Sequence, residues 1–268
     1  MSALAFDYEA KTWGGSLLRP RPWYIQGLKL RFALDALRQV QGRALDVGCG
    51  AGNAAKAIKR ERPDLEVHGV DLSAAAVAAA EREPAGVSFR TGGAERLPYP
   101  DGFFEAVLMF DVLEHVPDVG AALRETARVL RPGGLFHVAL PLEDQPWTLY
   151  RFLTRRGWRA KVNHCGHVHF FSARSFRQLA AEAGLPARRV RWSFHPFFQA
   201  VDVAYFSLLE LRGPVRSSVE DYVARRRGPW GSLLKAGKGG LAALGWYESR
   251  ALARLPGGVG HFDCRRSS

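Results

Sequence analysis

An α/β fold, a mostly parallel sheet with helices on both faces, is what this sequence predicts, and two patterns in residues 43–141 predict it. Apolar runs rich in Val and Leu alternate with helical stretches, the mark of βαβ units whose sheet is covered on both sides. The first run, "ALDV", enters a glycine cluster that opens a helix, and the second, "EVHGVD", ends at an aspartate.

The elements follow in order. Residues 1–42 read as an N-terminal helical cap. They hold the aromatics Phe6, Tyr8, Trp13, Trp23 and Tyr24, then Leu28, Leu30, Phe32, Leu34 and Leu37 at spacings compatible with a helix closed by Gly42. Next come "ALDV", a helix over 52–61, "EVHGVD", a helix over 73–83, "VSFR", "FEAVLMF", a helix over 119–130 and "GLFHVALP". "RPGG" at 131–134 is expected to turn the last helix into its strand, since Pro and Gly cannot continue a helix. After Pro141 the texture changes. Residues 142–171 carry Trp147, Trp158, several Arg and the cluster His164, Cys165, His167 and His169. "SARSFRQLAAEAGL" is a helix, with Ser172 as N-cap and Gly184 as its stop, and "ARRVRWSF" alternates like a strand. Residues 195–259 are mostly helical, and "GHFDCRR" reads as a last, edge strand.

With 268 residues, 47% of them hydrophobic and 24% charged, the chain suits one soluble α/β domain with insertions. The first thirty residues carry several charges and no long apolar core, unlike a signal peptide. No uninterrupted apolar run approaches the ~20 residues of a spanning helix. Cys49, Cys165 and Cys264 are far apart and odd in number, which argues against a disulfide framework. The expected location is the cytoplasm. Residues 1–140 hold 17 basic and 17 acidic side chains, whereas residues 141–268 hold 21 and 9 and carry the whole net charge of +12. Such asymmetry attracts an anionic substrate, a membrane face or nucleic acid.

The run Gly48-Cys49-Gly50-Ala51-Gly52, preceded by Asp46, lets backbone approach a ligand at a helix N-terminus. A dinucleotide fingerprint needs G-x-G-x-x-G, and here Gly52 falls one place early. The glycines alone leave a dinucleotide and S-adenosylmethionine both open.

The surroundings narrow this. "LDVGCGAGNAA", "VHGVDLS", "GGAERLPYPDGFFEAVLMFDVLEHVPD" and "VLRPGG" occur in that order at suitable distances over residues 43–185. Together they resemble the class I S-adenosylmethionine-dependent methyltransferases of the type 11 group. The resemblance implies a Rossmann-like, seven-stranded sheet and a cofactor domain over 43–194. Within and after it would come an acceptor-side insertion at 142–171, a basic helical insertion or lid at 195–259 and the edge strand at 260–268. It implies that Asp46, Gly48, Gly50 and Gly52 face the methionine part of the cofactor, with Cys49 and Asn53 also among the cofactor-binding residues. Asp71 would accept hydrogen bonds from both ribose hydroxyls, as an acceptor-only carboxylate can. Leu72 would pack on the adenine, and Ala94 and Glu95 match the adenine-edge loop, although Gly93 stands where the family usually has Asp. Phe110 and Asp111 would lie near the transferred methyl group.

Methyl transfer is an in-line displacement with a good leaving group, so positioning carries most of the catalysis. An acceptor that loses a proton needs a base, and His115 is the candidate, with packing as its plainer role. Asp111, Glu114 and His115 sit at i, i+3 and i+4. A similar acid-x-x-Glu-His stretch in ubiquinone-biosynthesis O-methyltransferases can hold a divalent metal, but many relatives have the same letters and no ion. His164, Cys165, His167 and His169 lack the second pair of a zinc site. No metal ligand is therefore assigned.

The acceptor is expected to be a small molecule, anionic or lipid-like and methylated on oxygen. Residues 1–30, 142–171 and 195–259 would meet it, through Trp13, Trp23, Trp147, Trp158, Phe197 and Phe198 among many arginines. "FFQAVDVAYFSLLELR" reads either as a helix packed on the core or as a lid that touches a membrane surface. Nucleic-acid methylation is an alternative that basic charge alone supports, with no recognised RNA-binding module beside it. Cofactor binding without catalysis is the other alternative.

Overall fold

The computed structural model describes residues 18–24, 26–212 and 228–268, so Phe6, Tyr8 and Trp13 lie outside the described residues. Its strands are β1 (Arg43–Val47), β2 (Glu66–Asp71), β3 (Val87–Thr91), β4 (Phe104–Phe110), β5 (Leu130–Pro141), β6 (Ala187–Ser193) and β7 (Val259–Arg265). They form one sheet in the order β3-β2-β1-β4-β5-β7-β6. β1 to β5 pair in parallel, and β7 runs antiparallel to both of its neighbours. The helices are α1 (Gly27–Ala36), α2 (Asn53–Glu61), α3 (Ala74–Glu81), α4 (Val119–Val129), α5 (Leu149–Thr154), α6 (Ala160–Cys165), α7 (Ala173–Glu182), α8 (Pro196–Arg212) and α9 (Gly228–Ala251).

Strand alternation divides the core between two faces. Ala44, Ala106 and Leu108 pack with Leu30 and Leu37 of the N-terminal helical segment and Ile58 of α2. Leu45, Val107 and Met109 face the other way, against Leu123 of α4 and Phe176 of α7. Helix starts follow their caps. Ser73 accepts the Ala76 N–H at 3.0 Å, Asp118 accepts the Ala121 N–H at 2.9 Å, and Ser172 with Ser175 closes a capping box. Gly184, at φ +77, ends α7 as its position predicts.

Two sequence expectations are corrected. "RPGG" is a bulge inside β5 rather than a turn ahead of it. Phe104 pairs with Leu130 and Ala106 with Leu135, so residues 131–134 loop out, with Gly133 at φ +73. "GHFDCRR" does not form the edge: β7 lies between β5 and β6, and β6 is the edge strand. The physical reason is burial on both faces. Phe262 and Cys264 enter one core, while His261 and Asp263 meet Phe32, His137 and Arg191 on the other side. Exposed Arg188 and Arg189 occupy the true edge, where charge discourages further pairing.

Strand order reverses between β1 and β4, with β2 and β3 on one side and β5 on the other. The crevice outside the C-terminal ends of β1 and β4 is where such sheets bind ligands.

Candidate active site

At that crevice the glycine loop is built by backbone that only glycine adopts cheaply. Gly48, Gly50 and Gly52 have φ of +72°, +52° and +82°. A Cβ at Gly48 would lie 2.5 Å from Val112, and one at Gly52 would lie 2.6 Å from the Phe89 ring. The Gly48 and Cys49 N–H groups donate to the Val70 carbonyl at 2.8 and 3.1 Å, which ties the loop to β2. Asp71 completes the tie. Its Oδ2 accepts the Gly50 N–H at 2.7 Å and its Oδ1 accepts the Ser73 N–H at 2.9 Å. Each oxygen keeps a second lone pair for a ligand hydroxyl. Asn53 begins α2 directly after the loop.

Asp46 lies beneath this loop, 1% exposed. Burial, and to a smaller degree the charge of Asp71, push its carboxyl up to about 8 against a hydrogen bond from the Ala55 backbone. Burial also raises the Cys49 thiol, which makes Cys49 a wall rather than a nucleophile. Leu72, 64% exposed at the end of β2, is a platform without a partner face. Ala94 is buried, Glu95 is half-buried, and a Cβ at Gly93 would meet Glu95 at 3.5 Å and Leu72 at 3.7 Å, ordinary contacts.

The end of β4 forms the other lip. Phe110 closes the strand, and Asp111 follows at φ +54°, its N–H donating to the Ala139 carbonyl at 3.0 Å. Trp147 and Phe194 are the other non-glycine residues with positive φ among the described residues; Trp147 lies within, and Phe194 directly before, segments expected to meet the acceptor. The Asp111 carboxylate pairs with Lys29, a buried lysine on α1. Glu114 is fully buried, and neither carboxylate oxygen has a hydrogen-bond partner among the described residues. Burial and then Asp111 hold its carboxyl well above the usual range.

His115 packs beside it, Nε2 at 3.9 Å from Glu114 Oε1 and Nδ1 at 3.2 Å from the Gly166 carbonyl. Burial, then neighbouring His167, lower its pKa, so the imidazole is neutral at pH 7. The His115 and His167 rings meet edge to face at 4.9 Å. His167 Nδ1 lies 2.7 Å from Glu143 Oε1. Burial would raise the Glu143 carboxyl, but the His167 hydrogen bond and the Lys161 charge carry it below the usual range. Lys161 is 4.0 Å from Glu143 and 3.0 Å from Asp202, over the Tyr150 ring at 4.0 Å. The Tyr150 hydroxyl donates to Asp202 at 2.6 Å. This buried chain joins the end of β4 to α5, α6 and α8.

The structure therefore gathers Asp46, Gly48, Cys49, Gly50, Gly52, Asn53, Asp71, Leu72, Phe110 and Asp111 at the ends of β1, β2 and β4, with His115 just beyond. It does not make Asp111, Glu114 and His115 one donor set. Lys29 takes Asp111, and His167 joins the other two instead. His164 turns away to Glu210 at 3.1 Å, and His169 to the Val116 carbonyl at 2.9 Å. Trp158 is tied to Ser207 at 3.1 Å and Phe198 is buried, while Trp23, Trp147 and Phe197 stay exposed. Sequence reasoning missed Lys29, Glu143, Lys161 and Asp202. The one available signal was a lysine, Lys29, set between Leu28 and Leu30 on an otherwise apolar helix face.

A family profile described as a methyltransferase domain matches residues 19–189. The chain is 35% identical over 136 residues to a ubiquinone biosynthesis O-methyltransferase of Alkalilimnicola ehrlichii, an alignment covering 48% of this chain and 54% of that protein. It is 37% identical over 133 residues to a ubiquinone/menaquinone biosynthesis C-methyltransferase of Methylobacterium nodulans, covering 45% and 52%. The chain thus spans about half the length of the curated relatives it matches. Among solved structures, the geranyl diphosphate C-methyltransferase of Streptomyces coelicolor superposes with a TM-score of 0.57 at 17% identity, covering 90% of this chain and 79% of that one, a likeness of fold alone. The glycine loop at the switch point, the aspartate that braces it and a match across most of the sheet lead to one conclusion: the chain belongs to the methyltransferase domain family, in its class I S-adenosylmethionine-dependent form.

Proposed function

We propose that this protein transfers a methyl group from S-adenosylmethionine to oxygen on a small acceptor that has an apolar body and an anionic or polar end. The observation that carries the reading is the Asp71–Gly50 brace, which presents a glycine loop and a carboxylate together at the β1–β4 crevice. When bound, S-adenosylmethionine supplies an electrophilic methyl carbon. The loop from Gly48 to Gly52 fits its methionine part, with positive φ at three glycines and no room for a Cβ at Gly48 or Gly52. Asp71 keeps lone pairs for the ribose, and exposed Leu72 offers a face for the adenine.

On the acceptor side His115 is the proton acceptor. Its Nδ1–H is held by the Gly166 carbonyl, which makes Nε2 the basic nitrogen, and burial keeps the ring neutral at pH 7. The aromatic and basic residues of the two insertions suit a flat or lipid-like body with an anionic group. The quinone-biosynthesis activities of the two relatives support that class, although they divide between oxygen and carbon as the atom methylated.

Calorimetric titration with S-adenosylmethionine and S-adenosylhomocysteine, followed by a screen of phenolic and carboxylic lipid acceptors, tests the reading. Micromolar binding of both ligands, lost in Asp71→Ala with the fold intact, is expected. No binding of either ligand would remove the cofactor assignment.

A further inference from the structure

At the end of the sheet away from the cofactor crevice, the start of β6 and the end of β7 meet the last turn of the N-terminal helical segment in a groove of about 460 Å³. The register fixes its place. Arg265 of the groove pairs with Leu135, whereas Pro141, at the crevice end of β5, pairs with Val259. Four arginines line the groove, Arg38, Arg188, Arg189 and Arg265, together with Asp35 and Asp263. We propose that it is a second binding site, for a small free anion with two or three linked phosphate groups. Its volume lies in the range of small-ligand sites.

The strand is built to aim charge there. Along a regular strand successive side chains leave opposite faces. β6 breaks that alternation, because Ala187 stands opposite Cys264 and Arg189 opposite Asp263. Two residues of β6 thus advance for one of β7, and Arg188 is the extra residue of a bulge, a feature that re-aims side chains. Two consecutive guanidiniums therefore reach one groove. Both residues are exposed, and neither makes a hydrogen bond or an ion pair with another described residue. Arg265 is held at the rim, where its Nη1–H donates to the Gly133 carbonyl at 3.2 Å. Arg38 completes the ring with a side chain 76% exposed.

The two aspartates do not cancel this field, since both are engaged from behind. Asp263 Oδ1 lies 2.6 Å from His137 Nδ1, and Asp35 Oδ2 accepts from buried Arg191 at 3.2 Å. The negative end of the helical segment is covered as well, because Arg62 donates to the Leu37 and Val40 carbonyls. Guanidinium forks match phosphate oxygens two at a time, so linked phosphates can use several arginines where a single phosphate cannot. No aromatic ring lines the groove among the described residues, so a nucleic-acid base has no stacking face. Its apolar lining is Ala36 and Leu135, and Leu135 is 1% exposed, which leaves no face for an acyl chain. These features favour a free anion over a nucleic-acid strand or a lipid surface.

The test needs neither cofactor nor acceptor, so its failure is separate from any failure of the methyl-transfer reading. The full chain is titrated calorimetrically with diphosphate and tripolyphosphate, with orthophosphate as the single-phosphate control. One equivalent of either polyphosphate is expected to bind, at least roughly 10-fold tighter than orthophosphate and more weakly as salt rises. Arg188→Gln and Arg189→Gln should each weaken binding roughly 10-fold, as loss of one charge-assisted contact does. Arg124→Gln, at an exposed position on α4, should leave it unchanged. Circular dichroism checks folding, and either groove variant carries the test alone if the other unfolds. Oligouridylate and phosphatidylserine vesicles are titrated in parallel. Tighter binding of either one through Arg188 and Arg189 overturns the free-anion assignment. Absence of polyphosphate binding, or an equal loss in Arg124→Gln, overturns the site itself.

Discussion

Binding of S-adenosylmethionine should expel a proton from Asp46. Its carboxyl is 1% exposed, and Oδ2 has no hydrogen-bond partner among the described residues. Burial sets its pKa near 8, so the free protein at pH 7 holds this group protonated in about 0.9 of molecules. The cofactor brings a sulfonium and an ammonium, and opposite charge nearby favours the ionised carboxylate. About 0.9 proton per cofactor should then leave at pH 7, roughly 0.5 at pH 8 and roughly 0.1 at pH 9. Calorimetry in two buffers of unlike ionisation enthalpy reads this number from the difference in apparent heats. Asp46→Asn should bring the release close to zero. A release near zero in the parent at pH 7, or an unchanged one in Asp46→Asn, would refute the reasoning. The same shift fixes a sign for stability. A carboxyl whose folded pKa is raised contributes stability that is fully present below its unfolded value of 3.8 and lost as pH climbs towards 8. Urea midpoints of the cofactor-free protein should therefore fall across that window, and fall less in Asp46→Asn.

Gly93→Asp should fold normally, because its Cβ meets only ordinary contacts, and should tighten S-adenosylhomocysteine about 5-fold, the worth of one hydrogen bond at ~1 kcal/mol. An unchanged dissociation constant would show that this loop does not reach the adenine. Lys161→Met strands Glu143 and Asp202 and should cost about 3–5 kcal/mol in urea unfolding, as removal of one partner from a buried ion cluster does; a loss below ~1 kcal/mol would mean the cluster is hydrated. Leu208 and Leu211, 45% and 84% exposed near the end of α8, should help the chain sediment with anionic liposomes at low salt, less so at high salt and less so in Leu211→Glu. No sedimentation at low salt removes the membrane contact.

The sheet from β1 to β5 was legible because β4 and the second half of β5 are written in consecutive apolar residues, β1, β2 and β3 are shorter runs that each carry Val, and the turns into α2, α3 and α4 are written in Gly, Ser or Asp at a cap. β7 was not legible as an interior strand. "GHFDCRR" carries His261 and Asp263 beside Phe262 and Cys264, and polar residues count as surface until their partners are known. Those partners, His137 and Arg191, come from distant segments. The same limit hid the acceptor side. Lys29 meets Asp111 across 82 positions and Tyr150 meets Asp202 across 52, and nothing local to either residue selects the other. The cofactor loop lies at the opposite extreme, since its glycines and Asp71 are fixed within one βαβ unit and the unit is readable as a string. Asp111, Glu114 and His115 would share one face only if a helix started at Asp111, and it does not. Helical spacing was assumed where the chain takes a turn that starts at positive φ.

Placing β7 beside β6 has an evolutionary consequence. Residues 194–258 leave the sheet from one strand and return in its immediate neighbour, with Ser193 paired to Val259, so the excursion is a loop whose two ends are pinned together. Closing such a loop costs only about 0.6 kcal/mol for each doubling of its length. Descendants could lengthen, shorten or exchange α8 and α9 with little strain on the strands below, and new acceptors could be tried without rebuilding the nucleotide cradle. The cost of such trials would fall on the contacts by which the exchangeable part grips the fixed one, among them Lys161 and Tyr150 on Asp202, Trp158 on Ser207 and His164 on Glu210.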